Sequence, residues 1–545
     1  MTEVNHMKYN AIQKPILVIL FLSIVIFTYG AESDNKKATK YLYNGNSATS
    51  SGTTNKQAQL AYSLGVASFL KYDELGYKDA IKYFKQAIKL DKNYAQAYAR
   101  LAITYRFYGN YLKQTVGSSG KMLDNVCPNA KKALKLNPEL SIAHRAMAAC
   151  LKVSKKQNDE IMNEINTAIK LDPLDGENYH ARALIKQDIV NTLKDFETAS
   201  KLSPMNFIIY NDWGFALNRQ NKYNKAIKKL KKALEINPNY AKAYGNWGLV
   251  LAKQKKYKEA IKKYKKVIEI NPNHADAYNN WGTVLFRQNK YKEAIKKYKK
   301  AIDINPNLAG AYNNWGLALN RQKKYKEAIE KYKKVIEMNP NHAHAYYLWG
   351  LALKAMDKPK EAIEKYKKAI EINPNDANAY NLWGLALKAM DKPKEAIEKY
   401  KKAIDINPNH AYAYYNWGTV LFMQNKHNDA IEKYKKAIDI NPNDADAYIN
   451  WGIALAKQKK YKEAIEKFKK ALEINPNHIN AYNNWGLALL KQKKYNEAIE
   501  KYKKALDINP NDAKAYYGLR FALEAMGKPK EAKKMFKKAE QLTEK

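Results

Sequence analysis

The stretch AKAYGNWGLVLAKQKKYKEAIKKYKKVIEINPNH, residues 241–274, decides the fold. Tyr244, Trp247 and Leu251 recur at three and four residues, the spacing of one face of a helix. Lys255-Lys256 interrupts that stripe, and a second one runs from Tyr257 through Ala260, Ile261, Tyr264, Val267, Ile268 and Ile270. Asn271-Pro272-Asn273 closes it, because a proline disfavours the helical conformation in the residue before it. The pattern predicts two antiparallel helices of about 14 residues, each roughly 21 Å long. Gly248 and Ala260 are small where the two axes must approach.

This stretch repeats. Prolines fall at 204, 238, 272, 306, 340, 374, 408, 442, 476 and 510, always 34 apart. All nine tryptophans, from Trp213 to Trp485, share that period, and each is followed by glycine. One hairpin cannot bury so many rings by itself, so neighbours must stack into a continuous core. The body then reads as all-α, a solenoid of helix-turn-helix units.

The spacing Tyr244-x2-Trp247-Gly248-x2-Leu251, followed by Ala260-x3-Tyr264 and Pro272, resembles the tetratricopeptide repeat. The chain departs from that pattern in carrying its Trp beside the Gly, with Tyr where the family often has Trp. The resemblance implies a right-handed superhelix whose first helices line a concave groove. Nine regular units cover 207–512, and a tenth, 513–545, has Leu519-Arg520 in place of Trp-Gly, which suits a water-exposed cap. Upstream, 58–204 reads as four irregular units with an insertion near 106–126. About fourteen units result, leaving no segment for a separate catalytic domain.

Carried onto this chain, the family's groove puts the residue two before each repeat Gly towards a ligand. These are Asn246, Asn280, Asn314, Asn416, Asn450 and Asn484, interrupted by Leu348 and Leu382. An Asn side chain offers donor and acceptor to the backbone of an extended peptide without reading its side chains. Such a ladder resembles the superhelical part of O-linked N-acetylglucosamine transferase, whose catalytic domain is absent here. The other reading is that these Asn hold adjacent units together. Neighbouring groove candidates are Asn279, Thr283, Asn313, Tyr347, Tyr415 and Asn483, which vary between units as subsites would. The chaperone-tail form of the repeat uses Lys three before the Gly and Asn just after it. This chain has Gly245, Asn279 or Tyr347 and then Leu249, Thr283 or Leu351, so a carboxylate clamp is not supported.

Composition sets the remaining expectations. Among 545 residues, 96 Lys and Arg face 53 Asp and Glu, a net charge of +43, with only eight Arg. Unit 241–274 carries nine Lys and two Glu, whereas 377–410 carries six Lys and four acids. Lys262, Lys263, Lys265 and Lys266 lie on a second helix and are expected to face water, where they either remain solvated or attract nucleic acid or anionic lipid. Scarce Arg and helix-supporting pairs such as Glu259 with Lys263 favour the solvated reading. The Trp and Tyr series reads as core and not as a ligand cage.

Histidines His274, His342, His410 and His478 occupy inter-unit turns and lack further ligands at metal spacing. Gly117 to Lys121 lacks phosphate-loop spacing. No nucleophile, base and oxyanion-donor set assembles, so no enzyme, cofactor or small-molecule substrate is expected. Cys127 and Cys150 can pair in an oxidising compartment.

The uncharged stretch Pro15 to Ala31, with its apolar run Ile16 to Phe27 and then Thr28-Tyr29-Gly30, reads as a signal peptide in 1–30 or a membrane anchor. Residues 31–57 read as a flexible polar linker. The expected protein is therefore an exported or membrane-tethered scaffold that binds partner proteins through extended segments. A basic surface for anionic polymers or membranes, and a structural spacer, are the alternatives.

Overall fold

The computed structural model describes residues 52–115, 118–186 and 188–543. The apolar stretch 15–31 and most of the linker lie outside them. The described residues form 28 α-helices and one short 3-10 helix, with no strand among them. They divide into two compact bodies, one ending at Asn280 and one beginning at Trp281.

From Phe207 onward the hairpins are uniform. The quoted stretch forms helices Ala241–Lys253 and Tyr257–Ile270. The turn between them has a specific cause. Lys255 adopts the left-handed conformation, φ +60°, and the Lys256 N–H reaches back to the Leu251 carbonyl at 2.9 Å, satisfying a helix-end acceptor. The same position is Asn289, Lys323, Asp357, Asp391, Asn425, Lys459 and Lys493 in later units, and only the last unit has glycine, Gly527. A side chain with a Cβ is strained there. Lys323→Gly is therefore expected to raise the local stability by about 0.5–1 kcal/mol, read as slower amide exchange in helices Ala309–Arg321 and Tyr325–Met338.

Each second helix ends as the proline predicts. Asn271 is extended, and its side-chain Oδ1 accepts from the Asn273 N–H at 3.0 Å. The next first helix is capped by the turn residue: His410 Nδ1 accepts from the Ala413 N–H at 3.2 Å, and Asp376 Oδ1 does the same for Ala379. His274, His342 and His410 thus cap where an aspartate serves equally well, whereas His478 makes no such bond and meets Asp446 at 3.1 Å.

The core follows from size. Ala260 is fully buried and Tyr264 is 1% exposed, lying across Gly248, where a Cβ would stand 2.7 Å from the tyrosine ring. The equivalent rings Tyr298, Tyr332, Tyr366, Tyr400, Tyr434 and Phe468 are the largest fully buried side chains of the second body. From Ala241 to Ile508 a ring of the second helix, tyrosine or Phe468, with the glycine that admits it, therefore fills the centre of each hairpin, and Leu230 against Gly214 takes that place in the hairpin before.

The tryptophans sit differently from the expectation. All nine are half-buried. A lysine of the same hairpin lies over each ring, from Lys229 on Trp213 at 3.3 Å to Lys501 on Trp485 at 4.6 Å. At Trp247, and at each tryptophan from Trp315 to Trp485, a second lysine from the preceding hairpin approaches too, as Lys231 does to Trp247 at 5.6 Å and Lys299 to Trp315 at 5.2 Å. This corrects the outward assignment of Lys263, which is half-buried with its ammonium 3.6 Å from the Trp247 ring. The aliphatic stem covers the ring while the charge meets its π-face. Burial lowers the pKa of Lys229 and Lys263 accordingly.

The irregular hairpins upstream are built on another plan. Helix Lys56–Phe69 starts inside the stretch read as linker, capped by Asn55. The expected insertion is instead a lengthened first helix, Ala95–Thr115, followed by the 3-10 turn Leu123–Asn125. Far-separated residues meet: Tyr72 packs edge-on to Phe207 at 5.2 Å, and Phe207 to Tyr240 at 4.8 Å.

Between them runs a buried ionic network. Arg145, 7% exposed, donates to Asn178 Oδ1 at 2.7 Å, to Glu177 Oε2 at 2.6 Å and to Asp175. Arg100 reaches Glu177 at 3.3 Å, and His180 reaches Asp212 at 3.0 Å.

Cys127 and Cys150 form a disulfide that ties helix Val126–Leu136 to Ser141–Val153 across 23 residues of sequence. Closing a loop of that size constrains the unfolded chain by about 3 kcal/mol. Reduction is expected to destabilise this body by that amount and to leave the second body unchanged, as followed by thermal unfolding with and without dithiothreitol.

Candidate protein-binding face

Once the second-helix tyrosines and the tryptophan–lysine stacks are accounted for, one face of each first helix remains. In the second body, each first helix from Ala309–Arg321 onward touches the next first helix, with no comparable contact between neighbouring second helices. The first helices are thereby the more closely spaced side of the stack, and their free faces form one continuous strip within that body.

Of the predicted asparagines, Asn314, Asn416, Asn450 and Asn484 lie on this strip, while Asn246 and Asn280 hold the equivalent position on first helices of the first body, and several bond to a neighbouring unit. Asn246 donates to Asn211 Oδ1 at 2.9 Å, Asn416 to Asn381 Oδ1 at 3.0 Å, and Asn450 to the Tyr415 hydroxyl at 2.8 Å. Each bond joins residues 35 apart, so these side chains bridge adjacent hairpins. Asn314 lies 3.4 Å from Thr283 Oγ1 in a similar way. Asn484 turns back to the Asn480 carbonyl of its own helix at 2.8 Å, and Asn483 donates to Asp512 at 2.5 Å.

Asn279 and Asn280 are half-buried in the first body. Asn313 is 7% exposed, with its Oδ1 lacking a partner. Tyr347 stacks on His344 at 5.7 Å. The reading in which these Asn hold units together is thus realised at three rungs. An amide carries two donors and an acceptor, so one such bond also orients the group and leaves it further capacity.

Several exposed apolar residues of the first helices escaped the sequence reading, three on the strip and Phe215 in the first body. Tyr412 and Met423 are each 63% exposed, Leu487 47% and Phe215 42%. They occupy the second, thirteenth and ninth positions of their helices, one face by helical spacing. For Tyr412 and Met423 the available signal was an apolar residue standing where neighbouring units carry a polar or small one, Asp446 and Lys457; Leu487 and Phe215 gave none, since Ile453 and Leu249 hold their positions in adjacent units.

Charge on the strip is local. Lys354 and Lys388 stand at equivalent positions of neighbouring first helices, in the near-identical units 343–376 and 377–410. Burial lowers both pKa values, and Lys388 lowers that of Lys354 further. Burial raises the Tyr347 and Tyr415 hydroxyls, helped by Asp376 and by Asp446 and Asp444 respectively.

On the second helices many lysines are instead paired to glutamates three residues away: Lys266 with Glu269 at 2.5 Å, Lys334 with Glu337 at 2.7 Å, Lys368 with Glu371 at 2.6 Å. Among the described residues no group of three His, Cys, Asp or Glu is placed to hold a metal, and no helix is long and apolar enough to cross a membrane.

No curated protein sequence matches the chain. Among solved structures, the APC/C hetero-tetramer Cut9-Hcn1 is similar at 17% identity over 86% of this chain and 96% of that one, with a TM-score of 0.48. MamA is similar at 34% identity over 30% of this chain and 94% of its own, TM-score 0.28. YrrB, described as a TPR protein with an unusual peptide-binding site, is similar at 29% identity over 36% of this chain and 97% of its own, TM-score 0.29.

Family models described as tetratricopeptide or TPR repeats match 307–375 and 443–511, 489–543, 365–398, and five segments between 214 and 459. Their union runs without a gap from 214 to 543, more than half of the 545 residues. With its 34-residue hairpins, its glycine-seated tyrosines and these matches together, the chain belongs to the tetratricopeptide repeat family.

Proposed function

We propose that the chain is a non-catalytic scaffold that binds partner proteins by holding an extended segment along the first-helix strip. The observation that carries this is the surplus on that strip: apolar side chains such as Tyr412, Met423 and Leu487 stand exposed beside asparagines whose amides are already oriented by interunit bonds. Preorganised polar groups lower the entropy lost on binding, and the exposed rings supply apolar area. Lys354 and Lys388 favour an acidic side chain on the segment where it crosses units 343–410.

The same reading places the protein in an oxidising compartment, exported or tethered through residues 15–31. A disulfide such as Cys127–Cys150 persists there. A basic outer surface for anionic polymers is the second reading, supported by the net charge of +43 and weakened by the glutamate pairing of its lysines.

The test is selection of peptides from a displayed random library, with affinities then measured for single peptides. Tyr412→Ser with Met423→Ser is expected to weaken selected peptides about 30-fold, the effect of losing about 2 kcal/mol of anchor contact. Lys262→Glu with Lys296→Glu on second helices should leave them unchanged. Binding that ignores the first pair and disappears with the second, or with added salt, would transfer the function to the basic surface. Failure to select any peptide would leave the spacer role.

A further inference from the structure

The first body holds a cavity that the repeat pattern does not require. Its volume is about 70 Å³, room for about five waters. One side is apolar, formed by Phe69, Phe107, Leu184, Ile185 and Ile208. The charged lining comprises Arg100, Arg106, Arg145, Lys152, Glu177 and His180.

Four of these groups satisfy one another or the carboxylates behind them: Arg100 and Arg145 on Glu177, Arg145 also on Asp175, and His180 on Asp212. Arg106 and Lys152 do not. Among the described residues neither has a carboxylate at ion-pair distance. The half-buried Arg106 guanidinium rests only over the Phe107 ring, at 5.3 Å. Its pKa is pulled down by burial, and that of the exposed Lys152 by burial and then by Arg106.

Arg106 is half-buried and Lys152 exposed, and both line the cavity without a carboxylate at ion-pair distance among the described residues, so an anion entering there gains a charge-assisted hydrogen bond from each. The apolar wall selects against a fully hydrated anion. Glu177 and Asp212 nearby select against a dianion.

We propose that this cavity binds a small organic monocarboxylate, with its carboxylate on Arg106 and Lys152 and a short aliphatic body against Phe69, Phe107, Ile185 and Ile208. The site is independent of the first-helix strip, so either assignment stands without the other.

The test is calorimetric titration of the full chain with isovalerate, butyrate and inorganic phosphate, each at constant ionic strength. Both carboxylates are expected to bind, isovalerate the more tightly, and phosphate to bind at least tenfold more weakly. Arg106→Gln should weaken isovalerate at least tenfold. It should also keep or raise the unfolding temperature of the ligand-free protein, since an uncompensated charge is removed. Lys152→Gln, a change at an exposed position where folding is not at stake, should weaken isovalerate severalfold. The proposal is overturned if neither carboxylate binds, if phosphate binds as well as they do, or if isovalerate binds Lys152→Gln and the wild type equally.

Discussion

Replacing Tyr400 by Ala is expected to destabilise its hairpin by about 4 kcal/mol, whereas replacing it by Phe should cost almost nothing. The ring is fully buried, and a Cβ on Gly384 opposite it would come within 2.5 Å of the tyrosine Cε1. Truncation removes the largest side chain of that core and leaves a cavity bounded by helix backbone, which relaxes only in part. The hydroxyl contributes in the opposite sense. It is buried without a hydrogen-bond partner, and an unsatisfied polar group is a liability. Unit 445–478 already carries Phe468 at the equivalent position.

Repeat arrays do not unfold as one two-state unit, so the measurement is amide exchange resolved to helices Ala377–Ala389 and Pro393–Ile406. Equal exchange in wild type and Tyr400→Ala would show that the ring is not what holds the hairpin.

The same burial gives an alkaline limit. Tyr298 and Tyr434 are pushed up to about 12 by burial, against an ordinary value near 10. A folded-state pKa above the unfolded one means that the neutral form is favoured in the native state. The contribution is intact below pH 10 and is lost as pH rises through 12. Tyrosinate absorbance is expected to appear together with loss of helix in that interval.

Replacing Arg145 by Ala is expected to destabilise the first body by about 3–5 kcal/mol and to leave the second body intact. The guanidinium is the shared donor to Asp175, Glu177 and Asn178. Removing it strands buried acceptors and a carboxylate, which costs more than the pair is worth when formed. A separate reading comes from acid. Despite burial, Arg100 and Arg145 hold the Glu177 carboxyl down to about 2. Its folded-state pKa lies below the unfolded one, so its contribution is present above about pH 4.5 and is lost as pH falls towards 2. Loosening of the first body in that window, absent from the second, is the expected result by exchange at low pH. Arg145→Ala should shift the loosening to higher pH. A variant as stable as wild type would show that the network is dispensable.

Most of the fold was legible because it is periodic. The 34-residue interval of Pro272 and Trp247 set the length of each hairpin, and Gly248 with Ala260 marked where its two axes meet. Those are local properties. The role of Trp247 was misjudged because apolar spacing alone does not say whether a ring is covered by other rings or by a lysine stem. Lys231 and Lys263 reach it from two different hairpins. The candidate strip was half legible: its asparagines follow from position, but that Asn416 bonds Asn381 and Asn450 bonds Tyr415 depends on how one hairpin is rotated against the next.

Helix, turn, repeat length and the burial of one ring per unit were determined by the chain itself, since each depends on residues within 34 positions of one another. Tertiary structure alone decided what lies upstream: the meeting of Tyr72 with Phe207, the ionic network around Arg145 and the pairing of Cys127 with Cys150. Those contacts join residues with no shared period, and a charge scattered along an irregular sequence shows its partner only after the helices carrying both have packed.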